Sequence, residues 1–215
     1  MKLAGVSTGK LSIVRYRGKS VQTGIFKTNS EGPVFVSFDG LLEDVQVDRK
    51  NHGGPDKAIY AYSLENLKYW AELRLDSIYP AGHMGENLTI EGLDDHQVYI
   101  GDRFRMGGVT LEVTQPRVPC FKLGIRMADA RFVSQFLSSG RTGFYLRVLE
   151  EGTLKKGDPV TKIHTDSSGV SIPDAMKAIL TGPDQVYWIQ KVLDVQALST
   201  AWREDLHKRL SSKSS

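Results

Sequence analysis

The chain has a single cysteine, Cys120, set in Gln115-Pro116-Arg117-Val118-Pro119-Cys120-Phe121-Lys122. A thiol flanked by the fixed cations Arg117 and Lys122 is biased toward thiolate, the form that binds metals and attacks electrophiles. Pro116 and Pro119 remove two backbone donors and narrow the backbone freedom around them, which predicts a stiff turn at a strand end. A cysteine serving only as a small core hydrophobe is the competing reading of this segment. A second cluster is the cation-rich run Asp48-Arg49-Lys50-Asn51-His52-Gly53-Gly54-Pro55-Asp56-Lys57-Ala58. The paired glycines allow backbone N–H groups to approach an anion with no side chain in the way, and His52 and Lys57 add directed donors. The spacing is not that of a P-loop, and no nucleotide or pyridoxal phosphate motif stands elsewhere. Further candidates are Lys19 after Gly18, Lys27 in Gly24-Ile25-Phe26-Lys27-Thr28, Arg141 before Thr142-Gly143, and Asn87 in the polar turn Gly85-Glu86-Asn87-Leu88-Thr89. Arginine suits phosphate because its planar fork donates two parallel hydrogen bonds. Alone, each reads as solvated surface; a barrel would bring distant strand ends to one rim.

The elements that must position these residues follow from periodicity. At 215 residues the chain is long enough to bury a real core, and with one cysteine no intrachain disulfide is possible. The N-terminus lacks a signal-peptide apolar run and nothing approaches a bilayer-spanning stretch, so a soluble, cytoplasmic protein is expected. A net charge of +3 does not argue for nucleic acid. Residues 1–164 alternate in short segments punctuated by glycine, as a twisted or closed β architecture requires. From Val98 to Val113, the apolar residues Val98, Ile100, Phe104, Met106, Val109, Leu111 and Val113 share one side of a two-residue period, and Gly101-Asp102 recurs as Gly157-Asp158, suggesting similar corners. Helices are predicted over Ser63–Leu75, behind a Ser63 N-cap, and over Asp129–Leu137, both as packing elements. Residues 165–170 have the composition of a linker. Residues 171–212 then read as three short helices, starting at Ser171, at Asp184 and at Ser199 or Thr200. Such a unit is too small to stand alone and should dock on the barrel or on another subunit.

His52-Gly53-Gly54 with Lys57, then Gly85-Glu86-Asn87, then Arg117-Val118-Pro119-Cys120, taken in this order and at these separations, resemble the MOSC domain. The added helical tail resembles the YiiM-type members of that family, and the resemblance covers nearly the whole chain. It implies a mainly β fold with α: a MOSC-like β-barrel with packing helices plus a small C-terminal three-helix domain. It further implies a site for the molybdenum cofactor, a pyranopterin dithiolene with a terminal phosphate, with Cys120 as the molybdenum ligand. The candidate cofactor-binding set is then Lys19, Lys27, Arg49, His52, Gly53, Gly54, Lys57, Asn87, Arg117, Cys120 and Arg141. A soft thiolate suits the metal, and Lys and Arg suit the phosphate.

The function the resemblance implies is reduction of N-hydroxylated compounds, such as N-hydroxylated purine bases, as a detoxification of base analogues. Electrons would come from an external reductase carrying flavin or an iron–sulfur centre. Cys120, His52 and Lys57 would be the catalytic residues, with His52 a proton donor near neutral pH. Two alternatives are open: a sulfur carrier using a Cys120 persulfide, and a non-enzymatic protein that stores or delivers the cofactor. Neither nucleic acid nor membrane is an expected partner. The basic C-terminal residues Arg203, His207, Lys208, Arg209 and Lys213 are interrupted by Glu204 and Asp205, and they also complement a helix dipole. A homodimer through the tail helices is the expected assembly.

Overall fold

The computed structural model describes residues 1–47, 53–76, 78–180 and 182–213. In chain order the strands and helices are β1 (Lys2–Gly9), β2 (Ser12–Tyr16), β3 (Lys19–Thr23), β4 (Lys27–Asn29), β5 (Val34–Ser37), β6 (Gly40–Leu41), β7 (Ile59–Ser63), α1 (Leu64–Leu73), β8 (Leu88–Glu91), β9 (Arg103–Met106), β10 (Val109–Pro116), α2 (Phe121–Arg126), α3 (Phe132–Ser138), β11 (Phe144–Glu150), β12 (Gly152–Leu154), β13 (Val160–His164), α4 (Ile172–Lys177), α5 (Gln185–Leu193) and α6 (Thr200–Lys213).

One eight-stranded sheet runs in the order β13-β9-β10-β11-β7-β8-β1-β4. Its pairs are antiparallel except β7 with β8, which are parallel and joined by a crossover containing α1. The ends of the sheet meet. Leu3 N donates to Asp158 O at 2.9 Å, Gly157 N to Leu3 O at 2.8 Å and Val160 N to Met1 O at 3.0 Å, so β1 is bonded to the segment that opens β13. The two Gly-Asp corners have the same construction. Gly101 and Gly157 have φ of 97° and 96°, a region that favours glycine. Each aspartate N–H donates to the carbonyl three residues back, Asp102 to Tyr99 and Asp158 to Lys155, while each carboxylate accepts from that same residue's N–H.

The alternating apolar set from Val98 to Val113 is buried throughout, no member more than 2% exposed. Ser63 caps α1 as its sequence position demands, its Oγ accepting from Asn66 N at 3.3 Å. Trp70 on α1 packs with Tyr62, Phe132 and Phe136 in a second apolar cluster between the helices and the sheet, its Nε1 donating to Tyr62 Oη at 2.9 Å. One expectation is corrected: the helix expected over Asp129–Leu137 starts at Phe132, because Asp129 instead closes a turn in which its Oδ1 accepts from Arg131 N. The turn expected at the strand end around Cys120 is present, and it leads directly into helix α2, an element that the sequence reading does not include.

The tail shares the core of the sheet. Ile172, Met176, Ile189, Val192, Trp202 and Leu206 belong to the same buried cluster as Leu3, Phe104 and Leu111. The run expected as a linker is bonded to the sheet domain: Asp166 N donates to Asp102 Oδ1 at 3.0 Å, and Val170 O accepts from Ile100 N at 3.0 Å. Among the described residues, no helix is long and apolar enough to cross a membrane.

Candidate functional site

Strand β10 ends at Pro116, and the chain leaves the sheet through Arg117-Val118-Pro119-Cys120. Arg117 N still donates to Gly143 O at 3.0 Å, which holds the start of this segment against β11. Cys120 keeps an extended backbone (φ −121°, ψ 174°) as the N-cap of α2, and its carbonyl accepts from Leu123 N. The half-buried thiol is therefore carried at a strand-to-helix corner. Phe121 beside it stacks on Tyr16 of the β2–β3 hairpin, with ring centroids 5.4 Å apart.

The cleft at this corner has a cavity volume of about 110 Å³. Its walls include Cys120, Arg117, Lys122, Lys57, Lys27, Asp44, Asn87, Tyr60 and Tyr145, with Gly24, Val45 and Gly85. Four basic side chains thus face one carboxylate among the described lining residues.

Arg117 is 6% exposed. Its Nη1 donates to Tyr60 Oη and to Met84 O, both at 3.0 Å, and its guanidinium lies 4.4 Å from the Tyr60 ring centre. No described carboxylate forms an ion pair with it. Burial disfavours the cation, but Tyr60, Tyr145 and Cys120 beside it outweigh burial and raise its pKa further. The positive charge at the floor of the cleft is therefore permanent.

Lys27 and Asp44 form an ion pair whose side chains are only 7% and 6% exposed. Asp44 also accepts from Gly9 N at 2.7 Å and from Asn87 Nδ2 at 2.8 Å. Burial pulls the Lys27 pKa down, against the opposing pull of Asp44. Asn87 is a junction: its Oδ1 accepts from Tyr60 N at 3.1 Å, its Nδ2 also reaches Ser7 O at 3.2 Å, and its backbone bonds to Tyr60 and Ser7. Glu86, fully buried, shapes the preceding loop by accepting from Gly82 N, Met84 N and Thr89 Oγ1. Its burial raises its pKa, against those hydrogen bonds. Gly85 has φ 86°, and a Cβ there would lie 2.8 Å from Ile25 Cγ1, so the turn closes only without a side chain.

Lys57 sits at the end of a 3₁₀ turn over Pro55–Lys57. Gln46 secures the start of that turn, accepting from Gly54 N at 3.3 Å and donating to Ala58 O at 3.2 Å. The tail and the sheet together secure its middle: Asp56 accepts from Thr200 N of the tail at 2.8 Å, pairs with Arg147 of β11 at 2.9 Å, and its carbonyl accepts from Thr114 Oγ1 of β10 at 2.6 Å. The helical tail thus braces the turn that carries a cleft cation.

Of the residues expected at one site, Lys27, Lys57, Asn87, Arg117 and Cys120 line this cleft. Gly53 and Gly54 lie in the turn before Lys57 but not among the lining residues. His52 and Arg49 fall outside the described residues. Lys19 is exposed, opposite Tyr16 in the β2–β3 hairpin, and is not part of the cleft wall. Arg141 is elsewhere: its Nη1 donates to Asn66 Oδ1 at 2.8 Å, its guanidinium lies over Tyr69, and it lines a different cavity. Asp44, Tyr60 and Tyr145 were not anticipated. The one sequence signal for Tyr60 is the alternation Tyr60-Ala61-Tyr62 in a strand that is buried throughout.

Residues 48–161 match the MOSC domain. The uncharacterized protein YflK of Bacillus subtilis is 35% identical over 204 residues, covering 95% of this chain and 92% of that protein. A protein named reductase from Gibberella moniliformis is 34% identical over 165 residues, covering 75% of this chain and 29% of its own length. The crystal structure of YiiM from Geobacillus stearothermophilus superimposes with a TM-score of 0.82 at 32% identity, covering 97% of this chain and 98% of that one. MOSC domains are associated in general with molybdenum cofactor binding. With its domain match spanning more than half the sequence and its tail included in the structural superposition, the chain belongs to the MOSC domain family and to its YiiM type.

Proposed function

We propose that the protein is a molybdenum cofactor-dependent reductase of N-hydroxylated compounds, N-hydroxylated purine bases among them. The observation that carries this reading is the Cys120 thiol at a cleft lined by four basic side chains and one carboxylate. The donor set fits the cofactor: a thiolate is the ligand type a soft metal takes, and Lys57, Lys122 and Lys27 are suited to a terminal phosphate. When bound, the cofactor supplies two-electron redox chemistry at the metal.

The chain's own residues hold and bias that chemistry. Cys120 anchors the metal, and its position at a proline-restricted corner fixes the sulfur before binding. Arg117, a buried cation hydrogen-bonded to uncharged partners, favours the thiolate. Tyr60 and Met84 hold the guanidinium in place, and Asn87 holds Tyr60 and Asp44. Lys57 binds cofactor or polarises the departing oxygen, and His52, earlier in the same sequence motif, donates a proton. The reaction consumes two electrons and two protons per N–OH group and yields the N–H compound and water. Electrons come from a separate flavin or iron–sulfur reductase. The relative named reductase supports an oxidoreductase role.

The test uses wild type and Cys120→Ala made in a host that produces the cofactor, with metal analysis and pterin fluorescence. Near-stoichiometric molybdenum in wild type, lost in the variant, is expected. In parallel, Cys120→Ser with a chemical reductant should fail to reduce an N-hydroxylated purine. Molybdenum retained and reduction unimpaired in the variants would refute the mechanism. A labile sulfur on Cys120 without molybdenum in wild type would establish a sulfur carrier instead.

A further inference from the structure

The molecule holds a second polar cavity, of about 400 Å³, that shares no lining residue with the cleft at Cys120. Its wall is Glu65, Asn66, Asp94, Asp95, His96 and Arg141, with Leu93 and Gly140. Asp95 is the unusual member. It is 4% exposed, its Oδ2 accepts from Asn66 Nδ2 at 3.2 Å and from Gly143 N at 3.3 Å, and its buried Oδ1 has no hydrogen-bond partner. Buried carboxylate oxygens are nearly always satisfied, because leaving one without a donor forfeits its solvation with nothing in return.

The wall also says what kind of donor is missing. Arg141 is the nearby cation, yet it forms no ion pair with Asp95; Asn66 stands between, accepting from Arg141 Nη1 at 2.8 Å through Oδ1 and donating to Asp95 through Nδ2. The other carboxylates are already engaged: Glu65 by Gly92 N and Ser63 Oγ, and Asp94 by His96 N and Gln97 Nε2. Three carboxylates and one guanidinium leave the wall negative at neutral pH. Burial pushes Asp95 up to about 6, so it is still ionised above neutrality.

We propose that this cavity is a binding site for a small organic cation rich in N–H donors, of the guanidinium or amidinium class, which reaches the buried, unpartnered oxygen of Asp95 by shifting the side chains that cover it. A planar N–H cation matches a carboxylate in a way that a spherical ion does not. Metal is a poorer match, since among the described residues no group of three or more acidic, histidine or cysteine side chains converges to hold one. The proposal does not depend on the molybdenum cofactor reading.

The experiment titrates the isotopically labelled full chain with methylguanidinium and follows the amide resonance of Gly143, whose N–H bonds to Asp95. A saturable shift at millimolar concentrations is expected, unchanged in Cys120→Ala, lost in Asp95→Asn, and reached at several-fold lower concentration in Arg141→Met, where a repelling cation has gone. Tetramethylammonium, a cation without N–H groups, should give no saturable shift. The proposal falls if methylguanidinium produces none, if tetramethylammonium matches it, if Asp95→Asn binds as wild type does, or if Arg141→Met binds more weakly. In those cases water alone serves the Asp95 oxygen.

Discussion

Replacing Asp44 by Asn removes the charge partner of Lys27 while keeping the shape of the side chain. Lys27 is 7% exposed on its side chain, so the ammonium would be left in the cleft wall with little water to replace the carboxylate. Breaking one side of a buried pair typically costs about 3–5 kcal/mol. An independent ceiling comes from letting Lys27 deprotonate. Moving a lysine from its ordinary 10.5 to neutrality at pH 7 spans about 3.5 units, or ~5 kcal/mol at about 1.4 kcal/mol per unit. The two figures agree, and the second carries a pH signature. Lys27 has a native pKa below its unfolded value, so between the two values the unfolded state binds more protons and stability rises with pH. The variant extends this window downward. Its deficit of ~3–5 kcal/mol at pH 7 should therefore narrow by up to ~3 kcal/mol near pH 9.5, measured as the difference in urea unfolding free energy from wild type at each pH. The double variant Lys27→Met with Asp44→Asn should recover most of the loss, because no buried charge is left unpaired. A deficit under about 1 kcal/mol, or one that stays flat with pH, would show that cleft water solvates the ammonium and would refute the reasoning.

Leu206 is fully buried in the cluster shared by the tail and the sheet, so Leu206→Ala should destabilise the whole molecule by ~2–5 kcal/mol, with one unfolding transition seen by calorimetry. A separate early transition of the tail would contradict the shared core. Asp95, raised from 3.8 to about 6, makes the native state hold its proton more tightly than the unfolded state, so stability falls as pH rises through that window. Asp95→Asn, free of that loss, should be more stable than wild type by up to ~3 kcal/mol above pH 7, and denaturant titrations should show the gain vanish near pH 4.

How much of this was legible in the sequence depends on the range of the interactions. The strands from Val98 to Val113, the Ser63 cap, the matched Gly-Asp corners and the starts of the tail helices are set within a few residues, by period, capping chemistry and backbone freedom, and they read correctly. Helix α2 did not: it is six residues long, contains Gly124, and buries only Leu123 and Gly124, so no helical period marks it. The pairing of Lys27 with Asp44 and the remoteness of Arg141 depend on strand register and on which end of the sheet a loop faces, which no local pattern encodes. Lys19 and Lys27 look alike in sequence, each cationic and near a glycine. One lies on an exposed hairpin and the other in the cleft wall, because β4 pairs with β1 whereas β3 pairs only with β2. The ordered motifs ending at Cys120 conveyed a site that the individual residues did not.

The seam at which the sheet closes carries a consequence for how the molecule is made. Of the described strands β1 is made first, yet Leu3 and Met1 find Asp158 and Val160 only after β2 to β12 have been synthesised. Until then β1 has one edge without its final partner, and the contacts that finish the sheet are among the most distant in sequence that the chain makes. Topologies weighted to such contacts fold slowly and leave strand edges open to other molecules while they wait. The neighbouring pairs β9 with β10 and β10 with β11, close in sequence and extensive, are where assembly can begin. A nascent chain stalled before Asp158 would therefore hold seven of the eight strands of the sheet with an unzipped rim, and it is at that stage that the protein would most need a chaperone.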